Sequence, residues 1–242
     1  MSDQLILGEP GVRAARTATP RHVFLTSKGA QFLPGLRRIS GAASRDPGNA
    51  AGDIGVLRPG VLMGKIASVV NSLGTVGHYA PSALGLTTNA EAAGSTAVEA
   101  SAAVVTELLR RVGASGTFKL IGPPTAGGTI AIETVTYSAA SGTTITVTAL
   151  VNAFVASSII APTDGSESPI TFIAEEMMGG VQVVDVDGTT NLTVEFAKLA
   201  AAGQVDFPQL LPAVADASTK AWIVSKLNEQ AGGQFIFPSL KY

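Results

Sequence analysis

The stretch TDGSESPI, Thr163 to Ile170, places Asp164, Ser166 and Glu167 almost side by side. A serine beside carboxylates suggests a hydrolase, in which a base takes the hydroxyl proton and the oxygen attacks a carbonyl. The pattern stops short of that chemistry. A nucleophile elbow needs G-x-S-x-G at a strand-to-helix turn, whereas Ser166 is followed by Glu167 and Ser168 with no second glycine. A triad needs a histidine base, and the chain holds only His22, in the basic leader, and His78, in a turn beside Tyr79. Asp164-Gly165 is a strong turn pair, because Asp accepts local backbone hydrogen bonds and Gly takes positive φ. The expectation is a turn.

The other sites fail similar tests. DVDGTTN, Asp185 to Asn191, imitates a calcium loop, but the twelfth position is Phe196 where a glutamate is required. Two carboxylates alone make a poor cage, so a hairpin turn is expected. GPPTAGG has no lysine and precedes a strand, unlike a phosphate-binding loop. Glu175 and Glu176 are adjacent in a strand and face opposite ways, which is poor geometry for paired acid–base work. Arg37-Arg38 has no interleaved aromatics for nucleic acid. The NLT at Asn191 is a glycosylation sequon only in a secreted chain. With no cysteine, disulfides, thiolate catalysis and cysteine-ligated zinc drop out together. No catalytic, cofactor-binding or metal residue is expected, and the chain reads as a non-enzyme.

The elements around these residues follow from composition. Of 242 residues, 46% are hydrophobic but only 14% are charged, and 27 are glycine. Small and β-branched side chains suit strands joined by tight turns. A weakly charged surface also hints at coverage by a partner. Net charge is −2, so the whole chain does not read as a nucleic-acid binder. Residues 1–45 hold seven basic and two acidic side chains, a local +5 against −7 for the remainder. Gly and Pro punctuate this leader too often for a helix. The only apolar run near the start, Leu5 to Leu7, is too short for a signal peptide. TALVNAFVASSIIAP is too short and broken to span a bilayer.

The order of elements gives three parts. Residues 1–50 read as an extended basic N-terminal arm. Residues 86–150 read as an inserted module, a helix laid on a small antiparallel sheet. Within it, STAVEASAAVVTELLRRVG has a Thr96–Glu99 capping-box spacing. Val98, Ala102, Val105, Leu109 and Val112 recur at helical spacing, with Arg110 and Arg111 in the last turn and Gly113 as the stop. GTFKLIG, TIAIETVTYSA and GTTITVTAL read as its strands. Residues 51–85 and 151–242 form a discontinuous, mainly β core. It contains a hairpin through LRPGVLMGKI and GHYAP, and a short helix best defined over Lys220 to Asn228. The fold class is mainly β with a small α+β insertion, α+β overall.

Several segments, taken in order, resemble the head decoration (cement) proteins of tailed bacteriophages, of the lambda protein D type. Gly60, Leu62, Gly64, Lys65, Gly77, Tyr79 and Pro81 fit that family's start. Asp164, Gly165, Ser166 and Glu167 fit its middle, and Pro208, Leu210, Thr219, Lys220 and Gly232 its end. The ordered set covers about half the chain. The 86–150 insertion and the longer basic leader depart from the pattern. The resemblance implies a β-tulip core that forms a homotrimer and sits on the outside of the expanded virion capsid. There it stabilises the head by binding the major capsid protein of the same phage. It implies synthesis in the host cytoplasm and no direct nucleic-acid or membrane partner. The arm is expected to carry the capsid contacts, at Leu5, Ile6, Leu7, Arg13, Arg16, Arg21, Val23, Phe24, Arg37 and Arg38. The alternative from another class is a tail or adhesion module that binds glycans. Such sites usually use exposed aromatics, and the chain has one Trp and three Tyr.

Overall fold

The computed structural model describes residues 22–26, 29–47, 55–174, 181–184, 190–229 and 234–238. Among these described residues strands dominate, with two α-helices, and the fold is mainly β. β1 (Gln31–Phe32) and β2 (Arg37–Ser40) come first. β3 (Val56–Leu57) leads into the Arg58-Pro59-Gly60 turn, where Gly60 has φ +90°. β4 (Leu62–Lys65) pairs antiparallel with β5 (Tyr79–Pro81) and not with β3, so the Arg58-Pro59-Gly60 turn does not close the expected hairpin.

The next stretch of chain builds a single sheet. Its strands are β6 (Gly85–Leu86), β7 (Ala97–Glu99), β8 (Gly116–Gly122), β9 (Ala131–Ser141), β10 (Thr144–Val147) and β11 (Ile159–Ala161). The spatial order is β6-β11-β8-β9-β10-β7. Its two edge strands are linked by the Thr87–Ala100 bridge and by a hydrogen bond from Thr88 N–H to Glu99 O at 2.9 Å. The sheet therefore curls round and leaves little open edge. Between β7 and β8 lies α1 (Ala102–Arg111), whose buried face fills the curl. The alternation on β8 and β11 is used on both sides. Phe118, Leu120 and Ile160 point into the curl. Ile121 and Ile159 join a second core outside it.

The helix begins later than its sequence pattern predicts. Thr96 and Glu99 do not form a capping box: residues 97–99 are β7, with Glu99 in register with Thr144. The N-cap is Ser101, whose hydroxyl accepts from Val104 N–H at 3.4 Å. Val98 is buried, but from a strand. The cross-strand partner on β10 outweighs the local helical preference.

The remaining strands are short. They are β12 (Thr171–Phe172), β13 (Val181–Gln182), β14 (Thr193–Phe196), β15 (Ala200–Gln204) and β16 (Gln234–Ile236). α2 (Ala217–Asn228) precedes β16. They form a five-stranded sheet β12-β4-β5-β2-β14, a three-stranded sheet β1-β15-β16 and the pair β13-β3. The second core lies under α2 and unites Phe24, Phe172, Phe207, Phe235, Phe237, Ile223 and Leu227. A third unites Ile39, Leu57, Met63, Ile173 and Leu199.

The expected arm needs correction. From His22 to Ser40 its described residues belong to the body. Val23 and Ile39 are 0% exposed, β2 pairs with β14, and β1 pairs with β15. Apolar residues in that stretch bury against strands far along the chain, which outweighs the local extended tendency.

Candidate functional site around the Asp164–Glu167 loop

The loop is a turn, and it is buried. Asp164 and Ser166 are 2% and 0% exposed. Asp164 Oδ1 accepts from Ser166 N–H at 3.0 Å, the local Asx bond that its residue type favours. Gly165 takes φ +98°, and a Cβ there would lie 2.4 Å from Ala67 Cβ. The Asp164 carbonyl accepts from Ala67 N–H at 2.7 Å and Ser68 N–H at 2.9 Å, which fastens the loop to the start of the β4–β5 connection. Beneath it, Gly64 on β4 leaves no room for a side chain: its Cβ would lie 2.0 Å from Ser166 O.

Arg111, the last residue of α1, enters this loop from the curled sheet. It is 2% exposed. Its Nη2 donates to Asp164 Oδ2 at 2.9 Å and to Ser166 Oγ at 2.6 Å, and its Nη1 to Pro81 O at 2.9 Å. Its Nε is buried and has no hydrogen-bond partner among the described residues. A second tie lies beside it, where Lys119 Nζ on β8 meets Glu167 Oε1 at 2.7 Å. Glu167 Oε2 also accepts from Gly165 N–H at 2.7 Å. One guanidinium thus joins α1, the end of β5 and the loop. Removing one partner of such a buried pair strands the other charge, which costs about 3–5 kcal/mol.

The arrangement holds parts of the fold together. Ser166 Oγ donates to Asp164 Oδ1 at 2.6 Å and accepts from Arg111. Fully buried and engaged on both sides, it is not presented to a substrate. His78 belongs to the β4–β5 connection, where its carbonyl accepts from Ile66 N–H at 2.9 Å and its N–H donates to Thr75 O at 3.0 Å.

A comparable tie joins the far end of the curled sheet to α2. In the expected PPTAGG turn, Gly127 N–H donates to Asp216 Oδ2 at 3.0 Å, while Asp216 Oδ1 caps α2 by accepting from Thr219 N–H at 2.9 Å. Burial would raise the Asp216 pKa. The backbone N–H groups of Gly127, Thr219 and Ser218, with the Thr219 hydroxyl, outweigh it and hold the pKa below the ordinary value. Asp46 likewise clamps Arg58 through Nε at 2.7 Å and Nη2 at 2.9 Å. This hydrogen bond, opposed by burial and helped by the charge of Asp46, raises the Arg58 pKa.

The expected contact residues separate. Leu5, Ile6, Leu7, Arg13, Arg16 and Arg21 lie outside the described residues, as do Asp185 to Thr189 of the calcium-like loop and the Glu175-Glu176 pair. Val23 and Phe24 are 0% and 9% exposed, so neither is available as a contact. Their side chains join the α2 core instead. Arg38 is exposed but paired with Glu195 at 3.1 Å. Arg37 is partly buried on the same strand.

The Arg111 tie escaped the sequence reading. Its signal was there: Val104, Leu108 and Arg111 follow helical spacing, which puts the arginine on the buried face. A cation in a last turn has a sufficient local explanation in the helix dipole, and that explanation hid the long-range one. Among the described residues no helix is long and apolar enough to cross a membrane, and no three His, Asp or Glu gather as metal ligands. No protein-family model, curated protein or solved structure matches the chain.

Proposed function

We propose that the chain is a capsid decoration (cement) protein of a tailed bacteriophage. In this reading it is a homotrimer with a β-tulip-like core. It binds the outer surface of the expanded head, contacts the major capsid protein and stabilises the shell against the pressure of packaged DNA. It acts by binding alone, without turnover, cofactor or metal.

One observation carries the reading. The three segments that resemble decoration proteins lie far apart in sequence, yet they converge on β4. Gly60 has no room for a side chain, because a Cβ would lie 2.1 Å from Gln209 O of the third segment. Gly60 O accepts from Leu211 N–H at 2.8 Å, and Leu62 N–H donates to Leu211 O at 3.0 Å. Gly64 has no room because Ser166 O of the second segment occupies the space. The glycines shared at positions 60 and 64 are therefore ones that this close packing requires. The glycan-binding alternative draws no such support. Among the described residues Tyr79 and Tyr137 are 9% and 1% exposed, and Trp222 packs partly buried against the α2 core.

The deciding experiment uses expanded shells that lack the protein. Purified protein is expected to bind them and to raise their resistance to heat or low ionic strength. Shells that neither bind it nor gain resistance would remove the proposal.

A further inference from the structure

On the outer face of the three-stranded sheet, two exposed apolar residues flank the central strand. The antiparallel Phe24–Val205 bridge places Leu25 opposite Gln204, and the β15–β16 register places Ile236 on the other side of Gln204. Leu25 and Ile236 are 50% and 59% exposed. The next row is Gln31, Ala202 and Gln234. None of these six residues is charged. Their neighbours in the strands, Phe24, Val205 and Phe235, point inward to the core.

The outer edge of this sheet is blocked beside the patch. On β16, the Asn228 side chain accepts from Phe235 N–H at 2.8 Å and donates to Phe235 O at 3.4 Å, which occupies the groups an added strand would use. A partner strand therefore cannot add at β16 beside Ile236, which leaves the face itself for contact there. Three strands over about four residues give roughly 200 Å², well below the ~800 Å² per partner of a stable interface. The patch is too small to hold a second copy or any other protein by itself. It needs a neighbouring contact to share the load.

In the decoration reading, the N-terminal residues supply such a contact. The 21 residues before His22 lead directly into Val23, whose carbonyl accepts from Asp206 N–H at 2.9 Å next to Gln204. A chain of that length spans up to about 70 Å. Once it is bound, it holds this face at high effective concentration against the same partner.

We infer that the sheet face of Leu25, Gln204 and Ile236 is the part of the body that seats on the capsid subunit engaged by the N-terminal residues. This rests on the decoration reading, and it replaces Val23 and Phe24 as contacts. The facing surface is apolar with hydrogen-bonding groups, because a charged one would lose hydration against leucine and isoleucine without gaining an ion pair.

The test is a titration of labelled protein onto expanded, DNA-free shells of the phage's own major capsid protein, read by co-sedimentation. The Leu25→Asp/Ile236→Asp double variant is expected to bind at least about tenfold more weakly than wild type. Thr136→Asp, a charge on the exposed face of β9, is expected to bind as wild type does. Gln204→Lys, at an exposed polar site, decides the question if the double variant fails to fold, and it too is expected to weaken binding. If wild type binds and the folded face variants bind equally well, the face assignment falls and the decoration reading stands. Equal weakening by Thr136→Asp also overturns the assignment. If wild type does not bind, the decoration reading falls and takes this inference with it.

Discussion

The curled sheet and the rest of the body are held together by different means. Within residues 85–161, β9 runs for 11 residues and pairs with all seven residues of β8 in unbroken register. Its neighbours in space are mostly its neighbours in sequence. Elsewhere strands are two to five residues long and find partners far along the chain, as β2 does with β14 and β1 with β15. A long local ladder carries its own cooperativity. Short distant strands must each offset a loop-closure cost and depend more on individual side-chain ties. Several of those ties, at Arg111, Lys119 and Gly127, come from the curled sheet and its helix. The lesson is that the self-sufficient region serves as the anchor for the other.

The largest expected effect tests that dependence. Arg111→Met leaves Asp164 buried without its cation and should cost about 3–5 kcal/mol of stability. The loss should appear first in the rest of the body. In denaturant, Trp222 fluorescence, which reports the α2 core, should then change before the near-ultraviolet signal of Tyr137 inside the curl. Coincident transitions would dissolve the distinction between the two regions. Arg111→Met/Asp164→Asn, which removes both charges and keeps an acceptor for Ser166, should recover part of the loss.

A smaller effect concerns the second tie. Asp216→Ala removes both the cap of α2 and the hold on Gly127, and should cost roughly 1 kcal/mol, a fall of about 2–4 °C in Tm. Because the folded pKa of Asp216 is depressed, its stabilisation is present above the unfolded carboxylate pKa. It is lost as pH falls through the folded pKa. The variant and wild type should therefore converge on acidification. A gap that persisted in acid would separate the cap from the charge.

The smallest effect lies within the curled sheet. Glu91 is 8% exposed, and its carboxylate accepts from Glu99 N–H at 2.8 Å. Burial raises its pKa, partly offset by that backbone bond and aided by the Glu99 charge. With a raised folded pKa, its favourable contribution is full below the unfolded pKa and is lost as pH rises through the folded one. Glu91→Gln keeps an acceptor and removes the charge. It should raise Tm at neutral pH by roughly 1–3 °C and do nothing in acid. A fall in Tm at neutral pH would mean that the ionised carboxylate is itself a needed partner.

The amino-acid sequence by itself determined the features whose causes are local. The alternation from Ala131 to Val147 wrote the long hairpin, the turn residues ended its arms, and Lys220 to Asn228 wrote most of α2. Asp164-Gly165 wrote a turn, because Asx bonding and positive φ need no distant partner. Tertiary structure decided what depends on residues far away. It made residues 97–99 a strand, since β10 offers a ladder there. It drew Val23, Phe24 and Ile39 out of an expected arm into two cores. It turned a surface-like turn into a buried node by delivering Arg111 to Asp164 across 53 positions of chain. Burial and ion pairing are properties of which atoms end up adjacent, and no window of sequence contains both partners.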